Sequence, residues 1–320
     1  MEKEKLLAWL LEEENPSVRA FTLQNILDVA EDDAQLEEAR SRIMMQEPVT
    51  TILGLQTPQG WWGNGNSMIM PMYTSTAWQV MLLAELGARL NEQIERAVDL
   101  VFAQVQVQDG SFPRLEGRFV KRKPMDLFCN DVLIAFGLLG VGVDPSDKRM
   151  GQTLDFIART LLSGEYGCRF NDGGTPCAWG VVKGLRVLAL VKEEDRNERM
   201  HEAIKTGAEY LLEHDLKDMD FSPVDEQRFS EHWFRLGFPR SYQADVLQTA
   251  FVLAKLGYAQ DQRLEKLVDF LARKELPAGG WALDESWNRM IVPFTKPSKR
   301  KANKWITWQV YTVLAKNGRI

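Results

Sequence analysis

One short phrase recurs along the chain at the spacing of a helix hairpin, and it restricts the possible folds more than any other feature. Gln56–Trp62 reads QTPQGWW, Gln106–Phe112 reads QVQDGSF and Glu275–Trp281 reads ELPAGGW, all variants of Q-x-x-x-G-x-W/F. Gly60 and Gly110 stand 50 positions apart, and Gly110 and Gly279 stand 169 apart, room for three further units of similar size. Self-similarity at such a period marks stacked supersecondary units that share one continuous core. Two weaker units are therefore expected in the gap, one around Gly167 (EYGCRFNDGG) and one from His214 to Tyr242, where the Gly-Trp pair is lost.

Each phrase is followed by an apolar segment ending in Leu and Gly: Thr74–Gly87, Asn130–Gly140 and Ala244–Gly257, with counterparts starting near Cys177 and Trp305. These segments are apolar on more than one face, which predicts helices buried between neighbours. Gly87, Gly140 and Gly257 occupy the place of a left-handed C-cap. Charged amphipathic partners follow, such as Glu92–Gln108 and Asp261–Lys274, and their polar stripes suit an outer layer. One more pair precedes the first phrase, with Pro16 and Ser17 opening Val18–Val29 and a second helix over Asp33–Met45. The expectation is an all-α chain of about six helix hairpins. Residues 51–320 form the repeat, and residues 1–50 add a pair that packs on it or completes it. An open solenoid leaves two ends to cap, whereas inner and outer layers that close into an α/α toroid bury both, so the toroid is the expected arrangement.

The Q-x-x-x-G-x-W/F phrases are similar to the QW motif of squalene and hopene cyclases and related prenyltransferase-type toroids, and the chain resembles a short, single-toroid member over about residues 50 to 320. That resemblance implies that the Gln and Trp of each phrase tie one helix end to the next. It also implies a central aromatic cavity that acts on or binds an isoprenoid or other apolar ligand. The D-x-D-D string with which triterpene cyclases protonate substrate is absent, as is the D-D-x-x-D with which ionising terpene synthases hold magnesium. Protein prenyltransferases hold zinc through Asp, Cys and His; Asp126–Cys129 (DLFC) departs from their D-x-C spacing. Cys177, in CAWG, is only distantly similar to the W-C-x-G phrase of lanthipeptide cyclases, which also hold zinc.

Charge and composition narrow the partners. A net charge of −6 argues against a general nucleic-acid binder, although Lys296–Lys304 is a local basic stretch, read as a solvated loop or an anion contact. No apolar run reaches the roughly 18 residues of a membrane span, and the acidic N-terminal stretch is unlike a secretory signal, so a cytoplasmic location is expected. Three cysteines are an odd number, which favours reduced thiols over a disulfide framework. Nothing in the sequence specifies a protein partner.

If the buried helices run parallel, their N-terminal ends converge at one mouth, where partial positive charge favours anions and thiolates. Asp126, Asp131 and Asp245 are the candidate catalytic acids, since a carboxyl in an apolar cavity can donate a proton to an alkene; each is equally a candidate helix cap. Cys129, Cys168 and Cys177, with His232, form a candidate Cys₃His zinc set, against which stands a reading as packed thiols. Trp78, Trp179, Tyr242 and Trp305 are candidate ligand walls, and the π-faces of Trp78, Trp179, Trp305 and Trp308 are suited to a carbocation, against which stands a reading as core. Lys183, inside an apolar run, is costly to bury unpaired and is a candidate partner for an anionic headgroup. Two functions follow: a terpene-cyclase or prenyltransferase-like enzyme, or a non-catalytic or zinc-containing toroid that binds an apolar ligand or partner.

Overall fold

A computed structural model of the chain describes residues 3–113, 128–165, 177–214, 230–286 and 290–320. The helices start where a short polar side chain can take up an unpaired backbone N–H. Asn15 opens α2 (Pro16–Asn25), Asp33 opens α3 (Ala34–Met45), Asn91 opens α6 (Glu92–Val105) and Asp147 opens α8 (Lys148–Ser163). Asn197 opens α10 (Glu198–Leu212), Asp245 opens α12 (Val246–Lys255) and Asn303 opens α14 (Lys304–Lys316) in the same way. The remaining helices are α1 (Lys3–Leu10), α4 (Val49–Gly54), α5 (Thr76–Glu85), α7 (Phe128–Gly140), α9 (Ala178–Leu188), α11 (Ser230–Trp233) and α13 (Glu265–Arg273). The described residues are thus mostly helical, with a single antiparallel ribbon of β1 (Ala282–Leu283) and β2 (Ser298–Ala302) in register Ala282 with Ala302.

Two kinds of helix alternate. Every residue of α5 is buried, and α7, α9, α12 and α14 are buried on nearly all sides. By contrast, α6 buries one stripe, Ile94, Ala97, Val98, Val101, Phe102 and Val105, and α8, α10 and α13 do likewise. A stripe at this spacing covers a core from one side only. The buried helices follow one another in space: α5 packs on α7, α7 on α9, α9 on α12, α12 on α14, and α14 on α2. At the other end of the series, Ser17 Oγ in α2 donates to Leu86 O at the end of α5, 2.6 Å away. The striped helices back this series, α6 against α5, α8 against α7 and α9, α10 against α9, and α13 against α12 and α14.

The repeated phrase sits at the joints. Gln56 Nε2 donates to Gly60 O and Gln93 O, at 2.9 and 2.8 Å, while Trp62 Nε1 donates to Ile52 O at 2.7 Å. In the second copy Gln106 Nε2 reaches Arg149 O and Thr153 Oγ1, at 2.7 and 2.8 Å. In the third, Trp281 Nε1 donates to Leu271 O at 2.7 Å. Gly110, at φ +91°, shows why glycine is needed there, since an added Cβ would lie 2.3 Å from Gln152 O.

Two expectations are corrected. The helix expected to run from Val18 to Val29 ends at Asn25, followed by Asp28 in a left-handed conformation. Gly87 and Gly257 do have positive φ, but Gly140 is the last helical residue of α7, and Gly142 makes the left-handed turn. Gly140 serves packing instead: a Cβ there would stand 2.7 Å from Ala84 Cβ of α5. Among the described residues no helix is long and apolar enough to cross a membrane.

Candidate functional site

The residues singled out at the N-terminal ends of the buried helices are largely engaged in holding those ends. Asp131 is buried, and its Oδ1 accepts the backbone N–H of Phe112 at 2.6 Å. Thr76 and Thr307 play the same part for Trp62 and Trp281, whose backbone N–H groups donate to the two hydroxyl oxygens at 3.2 and 3.0 Å. Asp245, also buried, caps α12 through Gln248 N, accepts from Gly237 N at 2.8 Å and pairs with Arg240 at 2.6 Å. Asp126 and Cys168 lie outside the described residues.

Cys177 is buried at the start of α9, and Cys129 is half-buried in the first turn of α7. His232 Nδ1 lies 2.9 Å from Glu285 Oε1, a carboxylate that also takes Arg235 and Arg240 and is held below its usual range by them, against the opposing effect of its burial. Among the described residues no three His, Cys, Asp or Glu side chains are grouped to hold a metal ion, and the expected zinc set includes Cys168 from outside them. Trp78 donates from Nε1 to Ile69 O at 3.0 Å and packs against Tyr73 and Tyr242, with centroids 4.8 and 5.4 Å away. Trp305 lies flat on Phe238 at 4.4 Å, and Trp179 is buried in α9.

A cavity of about 320 Å³ lies farther along the same helices, toward the C-terminal ends of α2, α5, α7, α9 and α12 and beside the first turns of α14. Phe21, Glu85, Phe136, Arg186, Phe251 and Trp308 line it, one from each of the six helices in the series. Its walls are aromatic, with Phe21 stacked on Trp308 at 4.7 Å and Phe251 edge-on to Trp308 at 5.3 Å. Trp308 Nε1 is buried and has no hydrogen-bond partner among the described residues.

Charge in this cavity is unbalanced toward the cationic. Glu85 is its sole acidic side chain among the described residues, against Arg40, Arg89, Arg186 and Lys255. Arg186 donates to both oxygens of Glu85 at 2.7 Å and lies 3.7 Å over the Phe136 ring. Arg40 and Arg89 turn to Glu31 and Glu37 at 2.8 and 3.2 Å. Lys255 donates to Asn25 Oδ1 at 2.5 Å, and burial, together with the nearby Lys316 ammonium, pushes its pKa down. Cations here also offset the partial negative charge of converging helix C-termini.

Of the described residues singled out from the sequence as site candidates, Trp308 lines this cavity. Lys183 abuts its wall, with Nζ donating to Gln248 Oε1 at 3.2 Å, and Trp305 does so through its stack on Phe238, Gln248 and Phe238 both lining the cavity. Burial, with Arg186 adding repulsion, brings the Lys183 pKa down to about 7. The residues missed, Glu85, Arg186, Gln248 and Lys255, share a signal: each is a polar group inside an apolar helix and so requires a partner or a function. No protein-family model matches the chain, and no curated protein matches it. The likeness to squalene-cyclase and prenyltransferase toroids therefore rests on the repeated phrases.

Proposed function

We propose that the six buried helices close into an α/α toroid and that its central cavity binds an isoprenoid or comparably apolar small molecule. The observation that carries this reading is the shared lining: six helices, far apart in sequence, each contribute a side chain to one aromatic-walled space. A volume of about 320 Å³ stands at the lower end of small-molecule sites, which suits a single short lipid. Apolar walls supply affinity by removing the ligand's surface from water.

Binding is favoured over acid-initiated cyclisation. Asp131 and Asp245 accept backbone N–H bonds away from the cavity lining, and Glu85 spends both carboxylate oxygens on Arg186. A carboxylate gripped at both oxygens is not placed to hand a proton to an alkene. The test is a fluorescence titration with farnesol, comparing the natural protein with Trp308→Phe and with the cavity-filling Val252→Phe. Saturable quenching that shrinks in the first variant and weakens at least tenfold in the second is the expected result. Equal affinity in the filled variant, or no saturable binding at all, removes the reading.

A further inference from the structure

Lys183 is the least compensated charge near the cavity. Its side chain is 2% exposed, and among the described residues its ammonium has one hydrogen-bond partner, the neutral amide oxygen of Gln248. The charged groups that face it from neighbouring elements do not resolve this. Arg186 of α9 and Arg240 ahead of α12 repel it, Cys129 of α7 is a thiol, and Glu85 of α5 is committed to Arg186. A buried cation with only an amide for company costs several kcal/mol relative to one facing an anion. Gln248 connects this ammonium to the ligand space, since the same side chain lines the cavity.

We propose that Lys183 anchors the carboxylate head of the cavity's ligand, an apolar carboxylic acid, which takes the place of the Gln248 amide oxygen on the ammonium while its tail lies along the aromatic walls. This rests on the reading of the cavity as an apolar ligand site and specifies the ligand's chemical class. A monoanion matches one ammonium. A diphosphate would bring more negative charge than Lys183 alone could meet, because Arg40, Arg89 and Arg186 are already paired with Glu31, Glu37 and Glu85. Lys255 is the weaker alternative, being held by Asn25 and within reach of the Asp28 and Glu31 charges.

The experiment is calorimetric titration at pH 7 with two probes of equal tail, farnesoic acid and farnesol, against the natural protein, Lys183→Met and Lys255→Met. The natural protein is expected to bind the acid at least tenfold more tightly than the alcohol. Lys183→Met should lose that preference with its farnesol affinity unchanged, and Lys255→Met should keep it. An acid preference that survives Lys183→Met, is lost in Lys255→Met, or is absent from the natural protein overturns the inference, while farnesol binding alone leaves the cavity reading standing. If neither probe binds, both readings fall together. Should Lys183→Met not fold, Lys183→Gln replaces it. Titration of the natural protein in two buffers of different ionisation enthalpy then gives an independent answer: farnesoate takes up protons on binding and farnesol does not, and no uptake with farnesoate refutes the anchor.

Discussion

Arg186 of α9 holds both carboxylate oxygens of Glu85 at the end of α5, at 2.7 Å each, although the two residues are 101 positions apart in the chain. The Glu85 side chain is 3% exposed and that of Arg186 19%, so this is a largely desolvated, bidentate pair. Removing one partner strands the other's charge, which typically costs about 3–5 kcal/mol. Glu85→Ala is therefore expected to lower stability in urea denaturation by an amount in that range. Replacing both residues, Glu85→Leu with Arg186→Met, should recover most of the loss. A double variant as unstable as Glu85→Ala would show that the pair matters for reasons other than its unpaired charge.

The joints between repeats are expected to behave as equivalent structural ties. Trp62 and Trp281 each donate from Nε1 to the carbonyl ten residues earlier, Ile52 O and Leu271 O. Trp62→Phe and Trp281→Phe each remove one buried hydrogen bond while Ile52 O keeps the N–H of Leu55 and Leu271 O that of Lys274, so about 0.5–1.5 kcal/mol is the expected cost of each. Asp131→Asn keeps an oxygen for Phe112 N and should cost less than about 1 kcal/mol, whereas Asp131→Ala should cost about 1–3 kcal/mol. Thermal unfolding of the four variants checks this. A large loss in Asp131→Asn would mean that the charge of Asp131, and not its acceptor, is what the site uses.

How far this was legible in the sequence depends on what each feature needs. Helix positions follow from periodicity and caps, so the starts expected at Glu92 and Asp33 agree with the structure to within a residue, and that expected at Val18 to within two. The β1–β2 ribbon was not legible, because SKRKA is an exposed, basic segment without apolar alternation, paired to only two residues of a neighbour. The N-terminal ends of the buried helices drew attention because they carry Asp131, Cys177 and Asp245, yet the two aspartates there tie down backbone N–H groups and, for Asp245, Arg240. The cavity is assembled mostly by the far halves of the same helices, joined by Gln248 and Trp308 from the near halves of α12 and α14, and which of Glu85, Arg186, Gln248 and Trp308 face one another depends on helix rotation, which a single sequence does not encode plainly.

Asp245 offers a sharper test of a buried tie than a surface pair could. It caps α12, accepts from Gly237 N and pairs with Arg240, whose side chain is 7% exposed. Asp245→Ala removes all three at once and leaves Arg240 with Glu285 and the carbonyl of Arg235 as its partners among the described residues, so a loss of about 3–5 kcal/mol is expected. Asp245→Asn retains the cap and should recover about 1 kcal/mol of that. Equal stabilities for the two variants would mean that the cap contributes nothing here.

Lys183 gives stability a pH dependence of definite sign. Its pKa falls from an ordinary 10.5 to about 7 on folding, chiefly because burial disfavours the ammonium, so the folded state binds its proton more weakly than the unfolded chain. Below pH 7 both states carry the proton, and the full cost of burying the charge is present. Between pH 7 and about 10.5 the unfolded chain keeps a proton that the folded protein has released, so this group's contribution to stability rises with pH through that window and levels off above it. Lys183→Met lacks the group and should be more stable than the natural protein near pH 6.5, by about a few kcal/mol, with the gap closing by pH 10. Urea denaturation of both proteins at pH 6.5, 8 and 10 makes the comparison and cancels the contributions the two proteins share. Parallel stability curves across that range would mean that the ammonium is already compensated in the folded protein, which would also remove the physical reason for it to seek a ligand's carboxylate.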